Sequence, residues 1–342
     1  VSDGENAEGI GRLVLAALTA SGKAAAGVPA AMIANTVRVV GRLAGSASSI
    51  PVAWLDSKSQ KIRDEAAARS TIVKALAKAA AKEATGDPDF VQGALETFAG
   101  DLVRRESNKR MVAHAAIEEV AHQASASNEA APTESAGEID EDWINVFSQY
   151  AENASTERMQ RLWGRVAAGE ARQPGTYSLA TLRVVSELDK QTAENIAEMS
   201  KYFVGDIVLP TPDFRRGTLF TLTMKLRGSG LLLGREGDAS RYVEIDETGS
   251  GAMVFRGLAN GPGYAIQIHG TPKTSRTIPV ILLSTQAIEL SQLLPAADPW
   301  PHLKAAALAM DKSGLTAIDC LLLNAENVIV NTERVWSVPP VS

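Results

Sequence analysis

Apolar residues first fall into a sustained helical rhythm between Asp142 and Ala154. There Trp143, Phe147, Tyr150 and Ala151 recur at helical spacing, flanked by Ile144 and Val146. Asp140 to Asp142 place negative charge at the N-terminal end, where it complements the helix dipole. Ser155 is the expected N-cap of a second helix, whose stripe is Met159, Leu162, Trp163, Val166 and Ala167. Gln173-Pro174-Gly175 should end it, because proline cannot continue the hydrogen-bond ladder and glycine permits the reversal. Ser178 then caps a third helix carrying Leu179, Leu182, Val185 and Leu188. Asp189 caps a fourth, with Ala193, Ile196 and Ala197 turned inward. Short connections between such helices favour antiparallel neighbours, so the pattern predicts a compact helical bundle.

Upstream the rhythm is weaker and the residues smaller. Helix is expected from Ile10 to Ala26 and, after a break at Gly27 to Pro29, again to about Leu43. A longer helix follows from about Asp56 to Ala84, with Ile62, Ala66, Val73, Leu76 and Ala80 opposite a lysine face of Lys74, Lys78 and Lys82. Asp87-Pro88 opens a helix pair that ends near Gln123. After about Pro210 the period shortens. Strands are predicted at Tyr242–Ile245, Met253–Leu258, Tyr264–His269, Ile278–Leu283, Ala317–Leu323 and Asn327–Val330. Helices are predicted at Arg215–Leu226, Thr285–Leu294 and Pro299–Asp311. The run LRGSGLLL carries a helix into a strand, and the order of helix, glycine turn, strand and hairpin resembles a winged-helix element. The expected fold is therefore mainly α with a C-terminal α+β domain. Its parts are a basic Ala-rich helical region over 1–125, an acidic flexible linker over 126–139, a helical bundle over 140–202 and a small winged-helix-like mixed domain over 203–342.

Composition adds bounds. The chain has 342 residues, 45% hydrophobic and 22% charged, which suits a globular protein of two or three domains. One cysteine, Cys320, excludes internal disulfides and cysteine-based zinc clusters and fits a reducing compartment. Charge is unevenly spread. Gly9 to Lys82 holds eleven Lys/Arg against three Asp/Glu, whereas Ala126 to Asp142 holds six acids and no base. That acidic stretch also has the Ala/Ser/Pro/Glu composition of a linker.

Several residues of the bundle form a pattern, DWI…F…MQ.LWGRV.AGE…PG.YS..TL, carried by Asp142, Trp143, Phe147, Met159, Gln160, Leu162, Trp163, Gly169, Glu170, Pro174, Gly175, Ser178, Thr181 and Leu182. This pattern resembles the bacterial domain-of-unknown-function family 2806, in which a helix with a DW start precedes an LW…LAGE-like helix and a PGSFS-like turn. Tyr177 stands where that family more often has phenylalanine. The resemblance is strong over roughly 139–200 and looser in the preceding helices. The family in turn is distantly similar to abortive-infection alpha proteins, which implies an anti-phage setting without implying a reaction.

Chemistry is sparse. Glu170, Arg165 and Arg172 gather near one helix end; they read either as a polar site or, the favoured expectation, as a Glu170 that fixes the Pro174-Gly175 turn by a hydrogen bond. His114, Glu118 and His122 share a helix face, but the outer pair lies ~12 Å apart at a rise of ~1.5 Å per residue, too far for one zinc ion. Gly228, Gly230 and Gly234 miss the dinucleotide spacing, and no phosphate loop, GxSxG elbow or kinase signature occurs. Cys320 lies in an apolar strand-like run and should be buried and inert. The longest uncharged N-terminal window, Ala24 to Val37, is fourteen residues, short of the ~20 that span a bilayer. Asp3, Glu5 and Glu8 stand where a signal peptide would carry positive charge. The apolar helices beside Arg12, Lys23, Arg38 and Arg42 could still meet anionic lipid at the inner membrane. Aromatics at 5% and a net charge of −6 disfavour nucleic acid, and the helix after Thr285 carries no base. The expectation is a cytoplasmic, non-enzymatic interaction protein with no cofactor, acting through a protein partner or as a homo-oligomer. A membrane-perturbing effector and a winged-helix-like nucleic-acid binder are the alternatives.

Overall fold

The computed structural model describes residues 12, 29–44, 70–75, 88–126, 137–234, 239–255, 262–295, 297–324 and 326–339. Lys23, most of the expected helix over 56–84 and the linker residues 127–136 lie outside this set. Residues 70–75 are helical, with Lys74 exposed. The chain divides into two units, Val1–Leu182 and Arg183–Ser342.

In the first unit, α1 (Ala30–Ala44) starts directly after Pro29, whose carbonyl accepts the Ile33 amide at 3.2 Å. The expected helix pair ending near Gln123 is instead one continuous helix, α2 (Pro88–Ala126). Its internal glycines cost only about 1 kcal/mol each, and no proline follows Pro88 to break the ladder. Next come α3 (Glu141–Ala151) and α4 (Glu157–Arg172). Thr156, not Ser155, caps α4: its hydroxyl accepts the Met159 amide at 3.3 Å. The core joins Met32, Val39, Val40 and Leu43 of α1 to Val112, Ala116 and Val120 of α2 and to the aromatics of α3 and α4. Gly164 is required where α4 crosses α2, since a Cβ there would stand 2.6 Å from the Ala115 methyl.

The division between units falls within α5 (Leu179–Glu187). The second unit continues with α6 (Lys190–Met199), capped by Asp189, whose carboxylate accepts the Thr192 amide at 2.6 Å. The short strands β1 (Phe203–Val204) and β2 (Ile207–Val208) lead through a 3-10 turn, Pro212–Arg215, into α7 (Gly217–Gly228). Then follow β3 (Leu232–Leu233), β4 (Ala239–Glu244), β5 (Ser250–Phe255), β6 (Gly263–Gly270), β7 (Ser275–Leu283), α8 (Thr285–Ser291), α9 (Trp300–Ala309), β8 (Leu315–Leu323) and β9 (Ile329–Ser337). Two antiparallel sheets form. In the first, β7 lies between β2 on one side and β3 and β4 on the other; β3 and β4 pair in succession along it, from Leu232↔Leu283 to Glu244↔Ser275. The second has the order β5-β6-β8-β9. One apolar core serves both sheets and α9, joining Val243, Ile278 and Val280 to Phe255, Ile266, Ile318 and Leu303. The last strand runs far beyond the expected Val330, because as an edge strand it alternates polar residues that hid its period.

Candidate functional site

Two clusters organise the molecule's polar chemistry in and after the bundle. The first surrounds Tyr177. Asp140 caps α3 by accepting the Trp143 amide at 2.9 Å, and the Trp143 indole donates to the Tyr177 carbonyl at 2.7 Å. The buried Glu170 carboxylate accepts the amides of Gly175 at 2.6 Å and Tyr177 at 3.0 Å. Gly175 has φ +85°, a left-handed conformation that suits glycine at the turn. Ser178 accepts the Thr181 amide at 3.3 Å and so caps α5. Around this node Trp143 stacks on Phe147 at 4.9 Å, Phe147 meets Trp163 edge-on at 5.6 Å, and Tyr150 stacks on Trp163 at 5.6 Å. Leu162 and Pro174 are half-buried beside it. The Ala-rich region reaches the same node, since Asn35 of α1 donates to the carbonyls of Gly137 at 3.1 Å and Ala171 at 3.3 Å. Every one of these bonds fixes backbone.

The candidate lipid residues divide. Arg38 pairs with Glu138 at 3.2 Å, and Arg42 donates to the Asn145 side chain. Arg12 is exposed and helical. The apolar residues that Arg38 and Arg42 flank are core side chains of the first unit. Among the described residues, no helix is long and apolar enough to cross a membrane. No group of three or more His, Cys, Asp or Glu among them could hold a metal ion, and His114 faces Glu118 at 3.5 Å. Cys320 is buried, and burial pushes its thiol up to about 12.

In the second unit it is α7, not the base-free helix after Thr285, that exposes a basic face. Between Phe214 and Gly230 the chain carries Arg215, Arg216, Lys225 and Arg227 and no acidic residue. Leu222, Thr223 and Leu226 are buried, which turns Thr218, Thr221 and Lys225 outward together with Phe220 (46% exposed) and Met224 (49%). The Nε and Nη2 atoms of Arg227 are buried without a hydrogen-bond partner among the described residues.

A family comparison gives the bundle and the start of α7 one context: the model of a family described as protein of unknown function (DUF2806) matches residues 102–222. Over that stretch, about a third of the chain, the sequence is similar to this family. No curated protein and no solved structure matches the chain. The DUF2806 match is wider than the pattern read from the bundle, starting within α2 and ending inside α7. It takes in Arg215, Arg216, Thr218 and Thr221. It leaves out α1, although Asn35 of that helix bonds to the backbone of the matched residues.

One further cluster joins residues that no spacing in the sequence brings together. Asp319 of β8, nearly buried, accepts from Arg334 of β9 at 2.7 and 2.9 Å and hydrogen-bonds His269 Nε2 of β6 at 2.9 Å. The Arg334 hydrogen bonds hold its carboxyl below the usual range. Ser250 lies opposite His269 in the β5–β6 register, and its hydroxyl accepts from Gln267 at 3.3 Å. The amides of Gly249 and Ser250 are already committed to Asp246, so they offer no oxyanion donors. The cluster ties three strands together.

Proposed function

We propose that the chain works by binding, and that the exposed face of α7 engages duplex nucleic acid. The order α6, β2, 3-10 turn, α7, β3/β4, β7, with β7 hydrogen-bonded between β2 and β3/β4, supports a winged-helix reading of this element. In that arrangement the helix after the turn is the one offered to a duplex groove. The observation that carries the proposal is the charge of that face. Arg216 and Lys225 are exposed at its two ends, Thr218 and Thr221 lie between, and no carboxylate interrupts the stretch. Cationic side chains neutralise phosphates and fix register, while threonine offers a hydroxyl and a methyl group to base edges. A net charge of −6 over the chain does not oppose this, because exposed charges beyond about 8 Å are screened at physiological salt. The turn beyond β4 carries Asp246 and Glu247, so α7 rather than that tip supplies the attraction.

The test is fluorescence anisotropy of a labelled duplex with the full chain across a salt series. Binding should weaken steeply with salt. The double variant Arg216→Ala, Lys225→Ala should reduce the log–log salt slope by about 2. No binding at low salt, or a slope indifferent to the double variant, would sink the proposal. A protein partner is the second reading, favoured by the i, i+4 exposure of Phe220 and Met224. It would be supported by a partner lost on Phe220→Asp that is insensitive to salt.

A further inference from the structure

His302 reaches from α9 to the segment that leads into α7. Its side chain is buried, at 7% exposure. The ring stands edge-on to Tyr202 at 5.0 Å and lies against Phe214 at 5.8 Å, and those two rings meet edge-on at 5.5 Å. It hydrogen-bonds to the Leu209 backbone, while Nε2 has no partner among the described residues. Leu209 follows the last residue of β2, and Phe214 lies in the turn that ends at Arg215. One imidazole therefore grips both ends of the stretch that sets where α7 begins.

The charged groups on the surrounding elements are engaged or exposed. Lys201, beside Tyr202, pairs with Glu198, and Asp213 and Arg215 of the turn are exposed. Lys304 of α9 pairs with Glu333 of β9, and Asp319 of β8 holds His269 and Arg334. Burial lowers the His302 pKa from 6.5 to about 4, and the Leu209 hydrogen bond opposes that only in part. A proton on Nε2 would place a charge and an unsatisfied donor among aromatic rings.

We propose that His302 is an acid-released latch on α7: protonation frees the Leu209–Phe214 segment and the start of α7 while the two sheets stay folded. The closed state prefers the neutral ring, so the latch is at full strength above pH 6.5 and weakens as the pH falls towards 4. With pKa values of 6.5 when open and about 4 when closed, the open population rises about 30-fold between pH 7.5 and pH 5. This latch does not depend on what α7 binds.

Backbone amide exchange of the full chain, corrected for intrinsic rates and read at pH 7.5 and pH 5, tests it. A parallel NMR titration follows the His302 ring. Exchange over residues 209–221 should rise by about that factor relative to β6 and β8, the ring should titrate well below 6.5, and His302→Gln should abolish the pH effect. A ring titrating at 6.5 or above would overturn the latch, as would acid loosening that spreads equally through β6 and β8. If His302→Gln fails to fold, the wild-type exchange map and ring titration decide alone.

Discussion

Glu170 Oε2 accepts the backbone amide of Tyr177 at 3.0 Å, seven residues further along and across a reversal of the chain. Its other oxygen takes Gly175. A single carboxylate thus replaces the backbone partners that the turn after α4 cannot supply to itself. The two bonds give this acid a place in holding the turn that follows α4.

Removing that carboxylate should leave two amides short of partners. Glu170→Ala is expected to destabilise the chain by roughly 2–4 kcal/mol, and Glu170→Gln by less, because one acceptor oxygen remains. Urea denaturation of both variants measures the difference. Equal stability of Glu170→Ala and wild type would show that the two bonds contribute nothing net.

For α1 the geometry separates apolar from charged contributions. Leu43 is fully buried, so Leu43→Ala should cost roughly 2–5 kcal/mol. Glu138 is exposed and Arg38 half-buried, so loss of this ion pair in Arg38→Ala should cost about 1 kcal/mol or less. Flotation with anionic vesicles should show no binding by the folded chain, because the apolar face of α1 is already occupied. Vesicle binding lost on Arg38→Ala, Arg42→Ala would reverse that assignment and restore the lipid-contact role.

Asp319 provides a pH prediction. Arg334 and His269 lower its pKa, so its contribution is complete above the ordinary carboxylate value and is lost as pH falls through the lowered one. Asp319→Asn should destabilise the second unit by about 1–3 kcal/mol at neutral pH, discounted because Arg334 is half-exposed. It should also flatten the acid limb of a thermal-melt series. An unchanged acid limb would mean that another carboxylate dominates there.

What the sequence revealed and what it hid follow the range of the interactions. Ser178 and Asp189 were readable as caps because each bonds an amide three residues ahead, whereas Asp140, which does the same, was legible only as charge at a helix start. The role of Glu170 was readable for the same reason of short range. His269 and Asp319 lie fifty positions apart, and only the β6–β8 pairing unites them. His302 sits in an unremarkable run, and its burial exists only once Tyr202 and Phe214 close over it. The helix α7 and the strand after it were legible in sequence, but the threading of β7 between β2 and β3 was not, since those contacts are made across most of the second unit.

The route between β4 and β7 carries a consequence for how the chain is made. Between β4 and β7 the chain supplies β5 and β6 to the second sheet before β7 pairs with β4. On a growing chain, β2, β3, β4 and β7 can assemble as soon as Leu283 has emerged. The inner edge of β6 must then wait for β8, more than thirty residues later, to be covered. Until that moment the nascent protein carries an unpaired strand edge bearing Ile266 and Ile268. The strand β8 is therefore what closes that edge, and an interruption of synthesis before Leu323 would leave it open to pairing with another chain.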